Sequence, residues 1–178
     1  MNKYIGVLIL AFFSFSCSSD LDFDQAYDVK LEPVIEANLA TFEIQAHQFV
    51  VNGMEQNVAG DVLDLDVFND DFFNENLTRA DFDFEINNTI NRAFRVSVYL
   101  LDDDDTILYT IPFNVPAYSG AVNTISKEEI FEKVKVNILK NTTKIAFVAA
   151  LLPGPTLSEN SLGSLKLRSS ATIYLTVE

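Results

Sequence analysis

From Glu32 onward the chain alternates apolar and polar residues in short runs, the period of half-buried strands. Ile35, Ala37 and Leu39 alternate; Phe42, Ile44 and Ala46 then alternate in the opposite phase. A phase change within one run predicts a bulge near residues 40–41, or a first strand that crosses between sheets. Asn52-Gly53 is a two-residue hairpin signal, and 57–60 reads as loop. Leu63, Leu65 and Val67 form a second strand, ended by Asn69-Asp70-Asp71, with Phe72-Phe73 in a polar loop that runs to Asn76. Phe82, Phe84 and Ile86 alternate with Asp81, Asp83 and Glu85, a third strand with one wet face.

Phe94, Val96, Val98 and Leu100 form a fourth strand, and Ile107, Tyr109, Ile111 and Phe113 a fifth, with the aspartates 102–105 as the turn between them. Pairing Leu101 with Thr106 predicts Val98 opposite Tyr109 and an entirely apolar inner face. Pro112 and Pro116 mark an edge or an end. Ser126 and Glu129 have the spacing of a capping box. Ile130, Val134 and Ile138 follow at helical spacing, so a helix is expected over about 127–139; Val134, Val136 and Ile138 also fit a strand. Residues 145–152 are apolar on both faces, as in a central strand, and Pro153-Gly154-Pro155 stops them. A last strand runs from Leu165 to Val177, with a break expected at Ser169-Ser170. About seven short strands, one helix and no βαβ rhythm predict a mainly β fold, an antiparallel β-sandwich.

The N-terminus follows another pattern. Lys3 precedes an apolar run, Tyr4 to Phe13, and small residues lead to Cys17. That is the layout of a secretory signal, too short for a spanning helix of roughly 20 apolar residues. Ser14-Phe15-Ser16-Cys17 resembles the lipobox of bacterial lipoproteins, with Ser14 where the box has an aliphatic residue. The resemblance implies cleavage before Cys17 and acylation of its thiol, palmitate included. As the lone cysteine, Cys17 has no disulfide partner in an oxidising compartment. Ser18, Ser19, Asp20, Asp22 and Asp24 resemble the export signal of surface lipoproteins in Bacteroidota. The expected organisation is a signal peptide at 1–16, a lipidated N-terminus and acidic tether at 17–31, and one domain at 32–178. No further apolar run is long enough to span a membrane.

Charge narrows the partners. Without residues 1–16 the chain keeps 11 basic and 26 acidic side chains, a net charge of −15. Such a surface repels phosphate backbones, so nucleic acid is not an expected partner. Twelve of the fifteen phenylalanines remain to supply a core, so the acidity does not signal disorder. The tether, Asn76-Leu77-Thr78-Arg79-Ala80, Asn91-Arg92-Ala93-Phe94 and Gly163-Ser164-Leu165-Lys166-Leu167-Arg168-Ser169-Ser170 together resemble a group of flavobacterial lipoproteins. That resemblance implies an immunoglobulin-like domain and carries no activity to transfer.

Candidate chemistry is sparse. His47 is the sole histidine and reads as a strand residue; one histidine and an acylated cysteine do not make a zinc site. Asp61, Asp64, Asp66, Asn69, Asp70 and Asp71 form one oxygen-rich cluster and the aspartates 102–105 another, either of which invites calcium, but neither has EF-hand spacing. Among 26 acids a glycosidase-like pair can always be found, so such a pair carries no signal. With no Trp, aromatic platforms for glycans are few. Asp105-Thr106-Ile107 resembles the O-glycosylation signal of Bacteroidota, which makes Thr106 a candidate modification site. No cofactor, metal or catalytic residue is assigned. The expectation is a lipid-anchored lipoprotein of the outer membrane, on the cell surface or facing the periplasm, with a non-catalytic interaction or structural domain. Its partners would be the membrane and an envelope protein or glycan. A calcium- or glycan-binding module is the alternative.

Overall fold

Alternation becomes two four-stranded antiparallel sheets in the computed structural model, which describes residues 30–121 and 123–177. The signal, Cys17, Ser18, Ser19, Asp20, Asp22 and Asp24 lie outside the described residues. Within the unit Glu32–Val177 the strands are β1 (Val34–Gln45), β2 (Val50–Val51), β3 (Met54–Glu55), β4 (Val58–Asp64), β5 (Leu77–Asn88), β6 (Phe94–Leu101), β7 (Ile107–Val115), β8 (Asn123–Glu132), β9 (Lys144–Leu151) and β10 (Ser164–Leu175). One sheet has the order β1-β10-β5-β8, the other β4-β9-β6-β7, and β2-β3 is a small ribbon.

The antiparallel sandwich is present, but its strand order is not the immunoglobulin one. Numbering the eight long strands in chain order, the sheets read 1-8-3-6 and 2-7-4-5. That is the double Greek key of a jelly roll, whereas an immunoglobulin domain sets four strands against three. The additional strand is β8, where a helix was expected. Its inner face carries Ile125, Lys127, Glu129 and Phe131 in alternation, and outward lie Ser126, Glu128 and Ile130. Two charges at inner positions of an edge strand hid the period of two. The helix contracts to one turn, Val136–Lys140, after a 3-10 turn at Lys133–Lys135. Ser126 is an exposed strand residue and caps nothing.

Other boundaries shift for local reasons. The stretch expected as loop at 57–60 opens β4, which pairs with β9 from Val58↔Ala150 to Asp64↔Lys144. Phe72 and Phe73 belong to a short helix, Asp71–Asn76, which starts where Asp70 Oδ1 accepts from Phe72 N at 3.0 Å. The β6–β7 hairpin is antiparallel as expected, but two residues out of register. Leu100 faces Tyr109, Val98 faces Ile111, and Leu101 faces Ile107. A bulge at Leu108 lengthens the connection, and a shift of two keeps every side chain on its face. The bulge expected in β1 lies between Asn38 and Ala40. β10 runs unbroken through Ser169-Ser170.

The core is a layer of interlocked rings. Phe42 of the first sheet stacks on Phe147 of the second at 5.4 Å, and Phe84 meets Phe113 edge-on at 5.8 Å. Phe82 touches Phe131 at 5.0 Å and Phe68 at 5.9 Å. Each such pair adds about 0.5–1.5 kcal/mol to the burial of its area.

Every free edge carries an obstacle to further pairing. β1 has its bulge, and β7 has Pro112 and the Leu108 bulge. β4 turns Asp61 inward beside Phe147, and β8 turns Lys127 and Glu129 inward beside Phe84 and Phe82.

Candidate functional site

Register fixes which loops share an end. Val34, Tyr174, Arg79 and Glu132 form one cross-strand row, so the chain enters and leaves the sandwich at one pole. At the other pole lie the connections 46–57, 89–93 and 152–163, with the one joining Val115 to Asn123.

This loop pole is built around one buried cation. Arg92, 7% exposed, donates to the carbonyls of Leu152 and Pro155, and its guanidinium lies 3.5 Å from Glu55 Oε2. Glu55 Oε1 in turn accepts from Leu157 N at 2.6 Å. Asn88, fully buried, donates to the carbonyls of Arg92 and Pro116 at 2.8 Å each, and its Oδ1 accepts from Ile90 N. Four loops are thereby tied to two side chains. The β2–β3 tip turns at Asn52 and Gly53, with φ of 52° and 73°, the hairpin geometry expected of that pair. Gly163 has φ of 101°, and a Cβ there would stand 2.4 Å from the carbonyl oxygen of Thr89, so only glycine lets the last loop pass this close.

At the opposite pole lies the aspartate turn. Asp102 Oδ1 accepts from Asp104 N at 3.1 Å and Thr106 N at 2.8 Å. Lys144 Nζ bridges Asp103 O at 3.2 Å and Asp105 Oδ1 at 2.6 Å. The hydrogen bond to Asp105 raises the Lys144 ammonium above its ordinary range. Of the four carboxylates in this turn, that of Asp102 builds the turn and that of Asp105 pairs with Lys144. Among the described residues no group of three or more His, Cys, Asp or Glu is arranged to hold a metal ion. In the other acidic stretch Asp61 binds the next backbone amide and Asp70 starts a helix. Thr106 is exposed at the end of the turn, and His47 is exposed in a 3-10 turn, Ala46–Phe49.

A charged cluster joins the β7 and β8 edges. Tyr109 donates to Glu129 Oε1 at 2.8 Å, Lys135 pairs with the same oxygen, and its ammonium lies 4.5 Å from the Tyr109 ring centre and 4.7 Å from that of Phe131. Burial pushes the Glu129 carboxyl up, but the bonds from Lys135 and Tyr109 outweigh it and hold it below 4.5. On the outer face of the first sheet a shallow groove of about 480 Å³ runs past Asn38, Asp83, Glu128 and Arg168. Asp83 and Glu128 face each other directly across β5 and β8.

Arg92, Glu55, Glu129 and Lys135 were not singled out as site residues in the sequence. The signal available for Arg92 was a cation at a turn in a strongly acidic chain. Nothing local marked the other three, because their partners lie on distant strands.

No protein-family model matches the chain, and no curated protein matches it. Among solved structures, that of the infectious bursal disease virus Gx strain has a TM-score of 0.44 at 12% identity, over 83% of this chain and 37% of that one. A candidate secreted protein from Parabacteroides distasonis has a TM-score of 0.44 at 15% identity, over 65% of this chain and 37% of that one. Desmodium yellow mottle tymovirus gives 0.36 at 12% identity, over 83% and 90%. The chain spans little more than a third of the first two. It is the strand order of this chain that defines its class, a jelly-roll β-sandwich. No helix among the described residues is long and apolar enough to cross a membrane.

Proposed function

We propose that the chain is an outer-membrane lipoprotein, anchored by acyl groups on Cys17 and displayed on the cell surface, whose sandwich is a non-catalytic interaction or structural domain. The observation that supports this reading is the polarity of the sandwich. Strand β1 begins at Val34, and the loops clamped by Arg92 and Glu55 lie at the far pole, a strand length of about 35–40 Å away. A domain anchored through its N-terminus would leave those clamped loops free for an envelope protein or glycan. A non-catalytic role is supported by the pairing of the buried charges, Asp81 with Arg79 and Arg92 with Glu55.

Labelling cells with radioactive palmitate tests the anchor. The wild-type chain should take up label and sediment with outer membranes, and Cys17→Ala should remain an unlabelled precursor. An unlabelled wild-type protein free in the periplasm would overturn the reading. Replacing Asp20, Asp22 and Asp24 by Ala should reduce protease access on intact cells while membrane attachment persists.

A further inference from the structure

We infer that the cleft beside the aspartate turn is a binding site for an uncharged saccharide. The cleft, about 610 Å³, lies between the turn at 102–104 and the helix Val136–Lys140. Its volume is in the range of small-molecule sites. Leu108 and Ile138 give it an apolar wall. Thr143 also lines it, is only 5% exposed, and has a hydroxyl with no hydrogen-bond partner among the described residues. A buried hydroxyl that both donates and accepts is costly to leave unpaired. It calls for a ligand that offers the same chemistry in return.

The other groups at the cleft decide which ligand. Asp103 and Asp104 are exposed, and neither carboxylate is ion-paired among the described residues. Asn137 and Asn141 bring amides, and Lys140 an ammonium. A metal cation is disfavoured by Lys140 at the rim and by Lys144 bridging the turn. An anionic ligand would meet the aspartates, and a purely apolar one would leave most of these groups unmatched. A neutral polyol fits all of them. Its hydroxyls donate to Asp103 and Asp104 and accept from Lys140 and the amides, and its C–H face packs on Leu108 and Ile138. The turn is held in advance by the Asp102 and Lys144 hydrogen bonds, so little ordering remains to oppose binding. The inference stands apart from how the chain is anchored.

The full chain, kept in a detergent without a sugar headgroup, is applied to an array of neutral, sialylated and sulfated glycans. Retention of neutral glycans and rejection of the anionic ones is expected. Thr143→Val keeps the side-chain shape, and Asp103→Ala with Asp104→Ala removes the carboxylates. Each variant should weaken binding of the retained glycan roughly tenfold or more, with an unchanged circular dichroism spectrum and a Tm no lower than that of wild type. Failure to retain any neutral glycan would overturn the site. So would binding that needs added calcium chloride, or binding that survives in both variants.

Discussion

Ser169 Oγ accepts from Ala40 N and donates to Ala40 O, both at 3.1 Å. The serine stands between Leu167 and Ala171 on the inner face of β10, opposite Phe84, where its neighbours are apolar. It satisfies the backbone that the β1 bulge takes out of the ladder. Ser169→Ala should therefore orphan a buried amide and cost about 1–3 kcal/mol in urea denaturation. A loss below about 0.5 kcal/mol would show that the bulge is satisfied in another way.

The β6–β7 hairpin gives a sharper contrast. Val98 is fully buried, with Ile111 on one side and Phe147 on the other. An unpaired carboxylate there has no partner, so Val98→Asp should abolish the cooperative unfolding transition. Asp103→Asn and Asp104→Asn, in the exposed turn, should stay within about 0.5 kcal/mol of wild type. Side-by-side thermal melts test both statements.

At the loop pole, Arg92→Met removes the only partner described for the Glu55 carboxylate besides Leu157 N, and frees two carbonyls. Breaking such a pair should cost about 3 kcal/mol. Arg92→Lys should not restore it, because an ammonium cannot reach three groups in a plane. Amide exchange should quicken first in 152–157 rather than in the strands.

Acid should weaken the β7–β8 seam before the core. Burial raises the Glu129 carboxyl, and Lys135 and Tyr109 more than offset this, so its folded value lies below 4.5. A depressed carboxylate contributes stability that is fully present above its unfolded value and is lost as pH falls through the folded one. The urea midpoint of wild type should thus decline on acidification below about pH 4.5 more steeply than that of Glu129→Gln. Parallel curves for the two proteins would remove Glu129 from the account of acid sensitivity.

The sequence displayed its strands wherever one face was wet and the other dry, as in Phe82-Asp83-Phe84-Glu85-Ile86, and it displayed the β1 bulge as a phase change. It concealed β8, because an edge strand can turn Lys127 and Glu129 inward at an open rim, where Lys127 lies over the Phe113 ring and Glu129 accepts from Tyr109. It also concealed the strand order, since one edge strand read as a helix changes which sheets can close. The hairpin register shifted by two because a bulge leaves no trace in the alternation when it lies beside a turn. The Thr143 cleft was illegible for a similar reason. Its parts come from a turn, a strand, a helix and a loop that only the fold assembles.

The placement of the two ends of the domain has a mechanical consequence. β1 and β10 lie antiparallel along eleven matched residues, from Val34↔Tyr174 to Gln45↔Ser164. A pull between Val34 and anything gripping the clamped loops runs along these strands, not across them. The ladder is then loaded in shear, with its rungs sharing the force at once, where a peeling load would open them one by one. Such a domain would resist the loss of β1 more strongly than one whose terminal strand is peeled away.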